Sequence, residues 1–319
     1  MNSLNKKSIL FSAIILFCLV FYQCKSKIEN AASDMKTKTL NLSLAEWSIH
    51  RALETGELKA EDFASIAKND FGIEAVEYVN SFYKDRATDT MFWEMMRSRS
   101  DSIGVKNLII MVDEEGDLGE PDADKRKIAV ENHYKWVDAA HILGCHSIRV
   151  NAFGNGTKEQ VQAAMVDALK QLCTYAEKSN INVLIENHGL YSSDGKWVRE
   201  IMQKTGMNNV GTLPDFGNWC TSHKWGSTEK GKECDHVYDR YVGVSETLPF
   251  AKGVSAKSYA FDDNGEETII DFGKMLKMVY DSDFSGYIGI EYEGGPLSER
   301  EGVLATKKLL ERKWQEMNQ

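Results

Sequence analysis

Short apolar runs alternate with amphipathic segments along most of the chain. Runs such as VKNLIIMVD and GYIGIEYEG have apolar residues at consecutive positions, which is typical of parallel strands covered on both faces. The segments between such runs carry apolar residues at helical spacing. Eight of these pairs, at a spacing of roughly 30 to 40 residues, predict an α/β fold, a closed (β/α)8 TIM barrel.

The same pattern gives the expected bounds of each element. The predicted strands are LNLSLAEW, GIEAVEYVN, VKNLIIMVD, CHSIRVN, NVLIENH, VGTLPD, AKGVSAKSYAF and GYIGIEYEG. The predicted helices span about 61–69, 91–102, 124–143, 158–177, 196–204, 234–247, 271–281 and 298–316. A long polar segment, residues 218–235, interrupts this rhythm on the catalytic side of the barrel, which predicts a lid over a ligand.

The first 24 residues have the pattern of an export signal. Two lysines precede an apolar run at residues 9–22, and Cys24 follows it, which predicts a bacterial lipoprotein signal with Cys24 as the lipidated residue. A plain signal peptide and an uncleaved anchor are the alternatives. We expect an exported, periplasm-facing lipoprotein held to the membrane by its lipid alone, with a signal peptide at 1–24, a flexible tether at 25–38 and the barrel at 39–319.

Charge and cysteine content limit the partners and the environment. The net charge is −10 and the chain after the signal has no dense stripe of lysine and arginine, which argues against nucleic acid as a partner. Cys220 and Cys234 lie in one loop-rich stretch and are the favoured disulfide pair in an oxidising compartment, although unpaired buried cysteines remain an alternative. The sequence leaves the oligomeric state open, with a homo-oligomer as one option.

Three carboxylates lie at the ends of predicted strands. Glu186 ends the apolar run VLI, Asp215 follows VGTLP, and Glu291 lies in GYIGIEYEG. The carboxyl ends of barrel strands share one rim, so these groups are expected to converge. Two carboxylates about 4 Å apart repel by roughly 4 kcal/mol at an effective dielectric near 20. A divalent cation of the Mn²⁺ or Mg²⁺ type would balance them, and the ammonium of Lys257 is the rival.

Other polar and aromatic residues near the same rim are candidates for substrate binding. Each has a plainer interpretation, since a carboxylate at a strand end often caps a helix and a lone histidine is often a structural hydrogen-bonding group. Three tryptophans are candidates for stacking on a sugar ring, with core packing as the alternative: Trp47, Trp219 and Trp225. The polar candidates are Glu77, Arg149, Asn151, His188 and Asn218.

The motifs ENH, DFGN and IE at the ends of three strands resemble those of the xylose isomerase-like TIM barrel family, which includes sugar isomerases, epimerases and inosose dehydratases. The resemblance covers residues 40–315 and implies a divalent metal held by Glu, Asp, His and Glu. Glu186, Asp215 and Glu291 match three of these ligands. Ser255 stands where the family has the histidine two residues before a lysine, so metal affinity should fall or His188 or His223 must complete the site.

The resemblance implies a sugar isomerase or epimerase that moves a proton next to a carbonyl through an enediolate. Lys257 or the metal would polarise the sugar oxygens, while Glu186 and Glu291, on opposite sides of the barrel mouth, would remove and return the proton. Export favours a small carbohydrate that is not phosphorylated, or is oxidised. The alternatives are a 3-keto-glycoside lyase or dehydratase using the same site, and a sugar-binding lipoprotein without catalysis.

Overall fold

Parallel strands and helices alternate through residues 37–319, the part of the chain that the computed structural model describes. The strands are β1 (Leu42–Ala45), β2 (Ala75–Val79), β3 (Lys106–Val112), β4 (Ser147–Val150), β5 (Asn182–Glu186), β6 (Val210–Leu213), β7 (Val254–Ser258) and β8 (Ile288–Tyr292). The helices that follow them are α1 (Phe63–Phe71), α2 (Thr90–Ser102), α3 (Ala123–Leu143), α4 (Lys158–Glu177), α5 (Gly195–Thr205), α6 (Arg240–Thr247), α7 (Phe272–Asp281) and α8 (Glu299–Met317). The short helix His50–Glu54 lies between β1 and α1.

The sheet closes on itself. Parallel pairing runs in the order β6-β5-β4-β3-β2-β1-β8-β7. The first and last strands of this order, β6 and β7, meet through the parallel bridges Thr212–Ala251 and Asp215–Ser255. The backbone N–H of Ser255 donates to the carbonyl oxygen of Pro214 at 2.9 Å. The predicted TIM barrel is therefore confirmed.

Alternation along each strand separates an outer core from the barrel interior. In β5, Val183 and Ile185 belong to the large core between strands and helices, whereas Leu184 belongs to a second, smaller cluster. That smaller cluster consists of apolar side chains from several strands: Ala45, Ala75, Val79, Leu108, Ile109, Met111, Leu184 and Leu213. Apolar side chains of β1, β2, β3, β5 and β6 therefore fill the barrel interior, and polar residues occupy the carboxyl-terminal rim.

The long segment after β6 differs from its prediction. The helix expected from residue 234 begins at Arg240, capped by Asp239, whose side chain accepts hydrogen bonds from two backbone N–H groups. Cys234 instead forms a disulfide with Cys220, which closes a loop before the helix can start. The other two cysteines of the described chain are buried and free.

The predicted signal peptide, Cys24 and most of the tether lie outside the described residues. The barrel unit runs from Leu40 to Met317. Within residues 37–319, every helix is too short or too polar to cross a bilayer.

Candidate active site

The three strand-end carboxylates converge. Glu186, Asp215 and Glu291 each offer an oxygen, and these oxygens all lie within 4.8 Å of one another. Their residues are at most 5% exposed. Closure of the barrel brings β5, β6 and β8 to one rim, so residues distant in sequence meet at one point. We name these three residues the carboxylate cluster.

Ser255 bridges two members of the carboxylate cluster. Its hydroxyl lies 2.6 Å from Oδ2 of Asp215 and 2.7 Å from Oε2 of Glu291. A hydroxyl has one proton, so two full hydrogen bonds require that one carboxyl group is also protonated. Burial raises the pKa of Asp215 to about 8, which agrees with a retained proton. The other oxygen of Asp215 accepts from the backbone N–H groups of Gly217 and Asn218 at 2.8 and 2.7 Å.

Arg149 supplies positive charge on one side of the cluster. Its Nε lies 2.8 Å from Oε2 of Glu186 as an ion pair, and its Nη1 donates to Oδ1 of Asp113 at 2.7 Å. Burial alone would raise the pKa of Asp113, but the guanidinium outweighs it and the pKa falls to about 2. Asn151 donates to the same Asp113 oxygen at 2.6 Å. Arg149 therefore compensates two carboxylates at once.

His188 borders this arginine pair. Its Nδ1 lies 2.7 Å from the side-chain oxygen of Asn151, which assigns the ring proton to Nδ1. Burial and the neighbouring Arg149 charge lower the pKa of His188 to about 3, so the ring is neutral at physiological pH. His188 can therefore hydrogen-bond to a sugar hydroxyl but supplies no charge.

Lys257 supplies positive charge on the other side. Its ammonium lies 3.4 Å from Oε1 of Glu291 and 3.0 Å from Oε2 of Glu293. Burial alone would lower the pKa of Lys257, but these carboxylates outweigh it and raise the pKa, which keeps the ammonium charged. The other oxygen of Glu293 accepts a hydrogen bond from the indole N–H of Trp47 at 2.7 Å.

Negative charge exceeds positive charge at this rim. Burial raises the pKa of Glu77 and of Glu186 to about 7, although Arg149 opposes the rise at both groups. The site therefore retains protons near neutral pH or takes up a cation. Six carboxyl groups face only two strong bases among the described residues of the site: Glu77, Asp113, Glu186, Asp215, Glu291 and Glu293 against Arg149 and Lys257.

A cavity of about 540 Å³ adjoins the cluster at Glu291, the cluster residue that lines it. Trp47 and Trp225 line it together with Arg149, His188 and Lys257. The Trp225 ring lies 4.9 Å from the His188 ring and is 49% exposed, which suits a wall that a ligand covers. A volume of this size accommodates a sugar.

The segment 218–235 borders the cavity. It contributes Asn218, Trp225, Ser227, Glu229 and Lys232 to the lining. The expectation that Trp219 stacks on a sugar is wrong: it is fully buried against Tyr238, with 6.1 Å between the ring centroids. A Cβ on Gly243 of α6 would lie 2.0 Å from its ring, so that glycine makes the space for the indole.

The remaining predicted residues take different positions. Asn218 lines the cavity and donates to Oε1 of Glu186 at 3.3 Å. Asn151 lies behind His188 and lines a smaller neighbouring pocket of about 240 Å³. Glu77 is fully buried, accepts from the hydroxyl of Ser43 at 2.6 Å, and is not among the residues that line the cavity. A role of these side chains in substrate binding stays a prediction.

Two residues of the site were absent from the sequence-based candidates. Asp113 follows β3 in the same way that Glu186 ends β5, and Glu293 lies two positions after Glu291. Both signals were present in the strand pattern, because residues two apart in a strand share a face. The rule that selected the three carboxylates, applied to every strand, selects these two residues as well.

A divalent cation with oxygen ligands fits the carboxylate cluster. The cluster oxygens and the Ser255 hydroxyl give four oxygen donors, the type that hard cations prefer. Neither His188 nor His223 belongs to the cluster, and His223 is exposed. The excess of buried negative charge is a further reason for a cation at this point.

The closed parallel barrel and its polar rim define a TIM-barrel protein with a site in the usual position for enzymes of that fold. The chain belongs to the xylose isomerase-like TIM barrel family, whose model matches residues 65–313. The family resemblance drawn from the strand-end motifs is therefore confirmed.

Individual comparisons are more distant. A 3′-dehydrocarminate deglycosidase alpha subunit from Microbacterium sp. is 38% identical over 50 residues, which are 16% of this chain and 14% of that protein. The 3-keto-D-glucoside 4-epimerase of E. coli is 12% identical with a TM-score of 0.58, covering 87% of this chain and 100% of that one. The IolI protein, solved with a bound zinc atom, is 14% identical with a TM-score of 0.61, covering 87% and 99%. The two structures support the fold.

Proposed function

We propose that this protein is a sugar epimerase or isomerase that moves a proton on the carbon next to a carbonyl group. The observation that carries the proposal is the carboxylate cluster next to the 540 Å³ cavity, which its member Glu291 lines. Without a bound cation, burial raises the pKa of Glu186 to about 7, where a carboxyl group can both accept and release a proton at neutral pH. Glu186 and Glu291 are the proposed proton carriers.

Lys257 is the proposed electrophile. Removing a proton next to a carbonyl places negative charge on the carbonyl oxygen, and a fixed positive group near that oxygen stabilises the enediolate. The charged ammonium of Lys257 lines the cavity beside Glu291, at 3.4 Å. His188, as a neutral ring, would orient a hydroxyl group of the sugar.

A divalent cation of the Mn²⁺ or Mg²⁺ type is part of the proposal. Glu186, Asp215 and Glu291 would hold it, with Ser255 as a weaker fourth oxygen donor. When bound, such a cation polarises the oxygens of a sugar carbonyl and its neighbouring hydroxyl. The absence of a histidine ligand from the cluster favours an oxygen-preferring cation over zinc.

The proposed substrate carries no phosphate. Acidic side chains outnumber basic ones by six to three in the cavity lining, which would repel a phosphate dianion. We further propose that the protein works outside the cytoplasm, anchored through Cys24, and the disulfide between Cys220 and Cys234 suits an oxidising compartment. Trp47 and Trp225 give the cavity two aromatic walls for the apolar face of an uncharged sugar.

Elimination is the second candidate, favoured by the local similarity to a deglycosidase. In a 3-keto-glycoside, removal of the proton on C2 gives an enolate whose electron pair can expel the group on C1. The leaving group then takes up a proton, and a C1–C2 double bond remains. Epimerisation starts with the same kind of proton removal, on a carbon next to the carbonyl, but returns a proton to the opposite face. The same residues therefore serve either outcome.

One assay separates these outcomes. The purified protein, with and without Mn²⁺, is incubated in D₂O with the methyl and p-nitrophenyl 3-keto-β-D-glucosides. We expect deuterium at a carbon next to the carbonyl by NMR, with a new epimer for epimerisation or released p-nitrophenol for elimination. Glu186→Gln should slow exchange by about 10²- to 10⁴-fold, whereas the exposed control Glu57→Gln should not change it.

Two results would overturn the proposal. One is a complete lack of exchange by the wild-type protein under both metal conditions. The other is undiminished exchange in both Glu186→Gln and Glu291→Gln. Binding of the glucosides without exchange, measured by calorimetry, would instead support the sugar-binding alternative.

A further inference from the structure

Glu293 connects two functionally different walls of the cavity. One of its oxygens lies 3.0 Å from the ammonium of Lys257, and the other accepts the indole N–H of Trp47 at 2.7 Å. All three side chains line the cavity. The Glu293 carboxylate therefore contacts both the Lys257 ammonium, which is proposed to face the carbonyl oxygen, and the Trp47 indole, which is suited to stack on a sugar ring.

The orientation of the Trp47 indole depends on more than packing. One of its faces stacks on the ring of His50, with centroids 4.4 Å apart and planes 8° apart, and Phe82 packs at 6.2 Å. Stacking alone would also accept the indole turned over about the Cβ–Cγ bond, which keeps the ring plane but reverses the direction of the N–H group. The hydrogen bond to Glu293 removes this freedom, because it fixes the direction of the N–H group.

The position of the Lys257 ammonium also depends on Glu293. The Glu293 oxygen, at 3.0 Å, is nearer to the ammonium than the Glu291 oxygen, at 3.4 Å. These two carboxylates can accept two of the three ammonium protons, and the third is then available for a ligand. Without Glu293, the ammonium would pair with the carboxylate cluster alone and lie deeper in the barrel.

We infer that Glu293 is a positioning residue that fixes the orientation of the sugar over the carboxylate cluster. It aligns the Trp47 indole with the Lys257 ammonium, so that a ring stacked on the indole presents its carbonyl oxygen to the ammonium and the neighbouring C–H to the carboxylate cluster. This inference rests on the proposed function. Glu293 itself touches neither the reacting carbon nor its proton.

A double-mutant cycle tests the alignment with the glucoside exchange assay. Glu293→Gln keeps the side-chain shape but removes the charge, and Trp47→Phe keeps a ring but removes the N–H donor. We expect Glu293→Gln to lower kcat/KM by about 10²-fold, mostly through kcat. Trp47→Phe should cost about tenfold in the wild-type background and less than twofold in the Glu293→Gln background. The amide has one acceptor oxygen, the Lys257 ammonium takes it, and the amide NH2 group then faces the indole N–H, so the hydrogen bond to Trp47 is already lost.

A second measurement does not depend on activity. The indole N–H resonance of Trp47, assigned by its loss in Trp47→Phe, should lie downfield in the wild-type protein and move upfield in Glu293→Gln. The distant control Glu57→Gln should leave this resonance and the kinetics unchanged. Glu293→Asp should retain more kcat than Glu293→Gln, because the charge rather than the shape of the side chain holds Lys257.

The outcomes separate this inference from the proposed function. Wild-type protein that exchanges no deuterium overturns both. Normal wild-type exchange with additive losses in the cycle, or an indole resonance that Glu293→Gln does not move, overturns the role of Glu293 and leaves the proposed function standing. A non-additive cycle together with the resonance shift supports the alignment.

Discussion

Arg149→Met would test whether the buried charge pairs hold the rim together. Arg149 is 3% exposed and contacts Asp113 and Glu186 at 2.7 and 2.8 Å. Methionine keeps the apolar stem of the arginine and carries no charge, so the variant removes the guanidinium from the site. Asp113 and Glu186 then remain buried without the Arg149 guanidinium. Removing one partner of a buried ion pair is strongly destabilising, because the remaining charge is desolvated and unpaired.

The size of the effect follows from Asp113. Its pKa is about 2 in the folded protein against an ordinary 3.8, and because one pKa unit corresponds to about 1.4 kcal/mol, the ionised state gains roughly 2 to 3 kcal/mol. Glu186 contributes less to the loss of stability. Burial already raises its pKa to about 7, so it can take up a proton when the Arg149 guanidinium is removed. We therefore expect a loss of about 3 kcal/mol at pH 7, or roughly 5 °C in Tm for a barrel of this size.

Thermal unfolding of both proteins at pH 7, 5 and 3 checks this reasoning. A carboxylate with a lowered pKa stabilises the protein above its unfolded pKa and loses this contribution as the pH falls towards about 2. The difference in Tm should therefore shrink between pH 5 and pH 3. Arg300→Met is the control, because Arg300 makes an exposed ion pair with Asp70 at 2.7 Å and should cost less than about 1 kcal/mol. A pH-independent difference, or one no larger than that of the control, would refute the argument.

Three further predictions concern the same barrel. Burial raises the pKa of Glu46 from 4.5 to about 8. Because the unfolded chain releases this proton at lower pH, Tm should fall between about pH 4.5 and about pH 8 and level off above, and Glu46→Gln should flatten the fall in scanning calorimetry. Equal slopes for the two proteins would contradict this. Ser255→Ala removes the hydroxyl that bridges two carboxyl groups and should cost about 1–3 kcal/mol in urea unfolding; a cost near zero would show that the bridge contributes no stability. Cys234→Ser opens a disulfide between residues 14 apart and should cost about 3 kcal/mol, with faster proteolysis inside the opened loop detected by mass spectrometry; an unchanged cleavage pattern would count against it.

The positions of the three cluster carboxylates could be predicted from the sequence. Consecutive apolar residues identify strands covered on both faces, and the topology of a barrel then brings their carboxyl ends to one rim. This rule does not need the length of each strand to be right: β8 is Ile288–Tyr292, shorter than predicted, and Glu291 still faces the rim. The resemblance to a known family depended on the same strand ends.

Features that depend on tertiary packing could not be predicted in this way. Trp219 and Trp225 look alike in the sequence, but the first is buried beside Gly243 and the second is half exposed at the cavity. Their difference is set by a turn of the loop that strand periodicity does not describe. The start of α6 was misplaced because helical spacing carries no information about the disulfide formed by Cys234.

The disulfide-closed loop also has a consequence for how this barrel can diversify. Trp225, Ser227, Glu229 and Lys232, all wall residues of the cavity, lie between its two cysteines. Insertions or substitutions inside the loop would thus reshape the wall of the cavity without altering the strands that position the carboxylate cluster. Variation in sugar preference among descendants of such a protein should accumulate in this one segment, and grafting it between relatives is a direct route to new specificity.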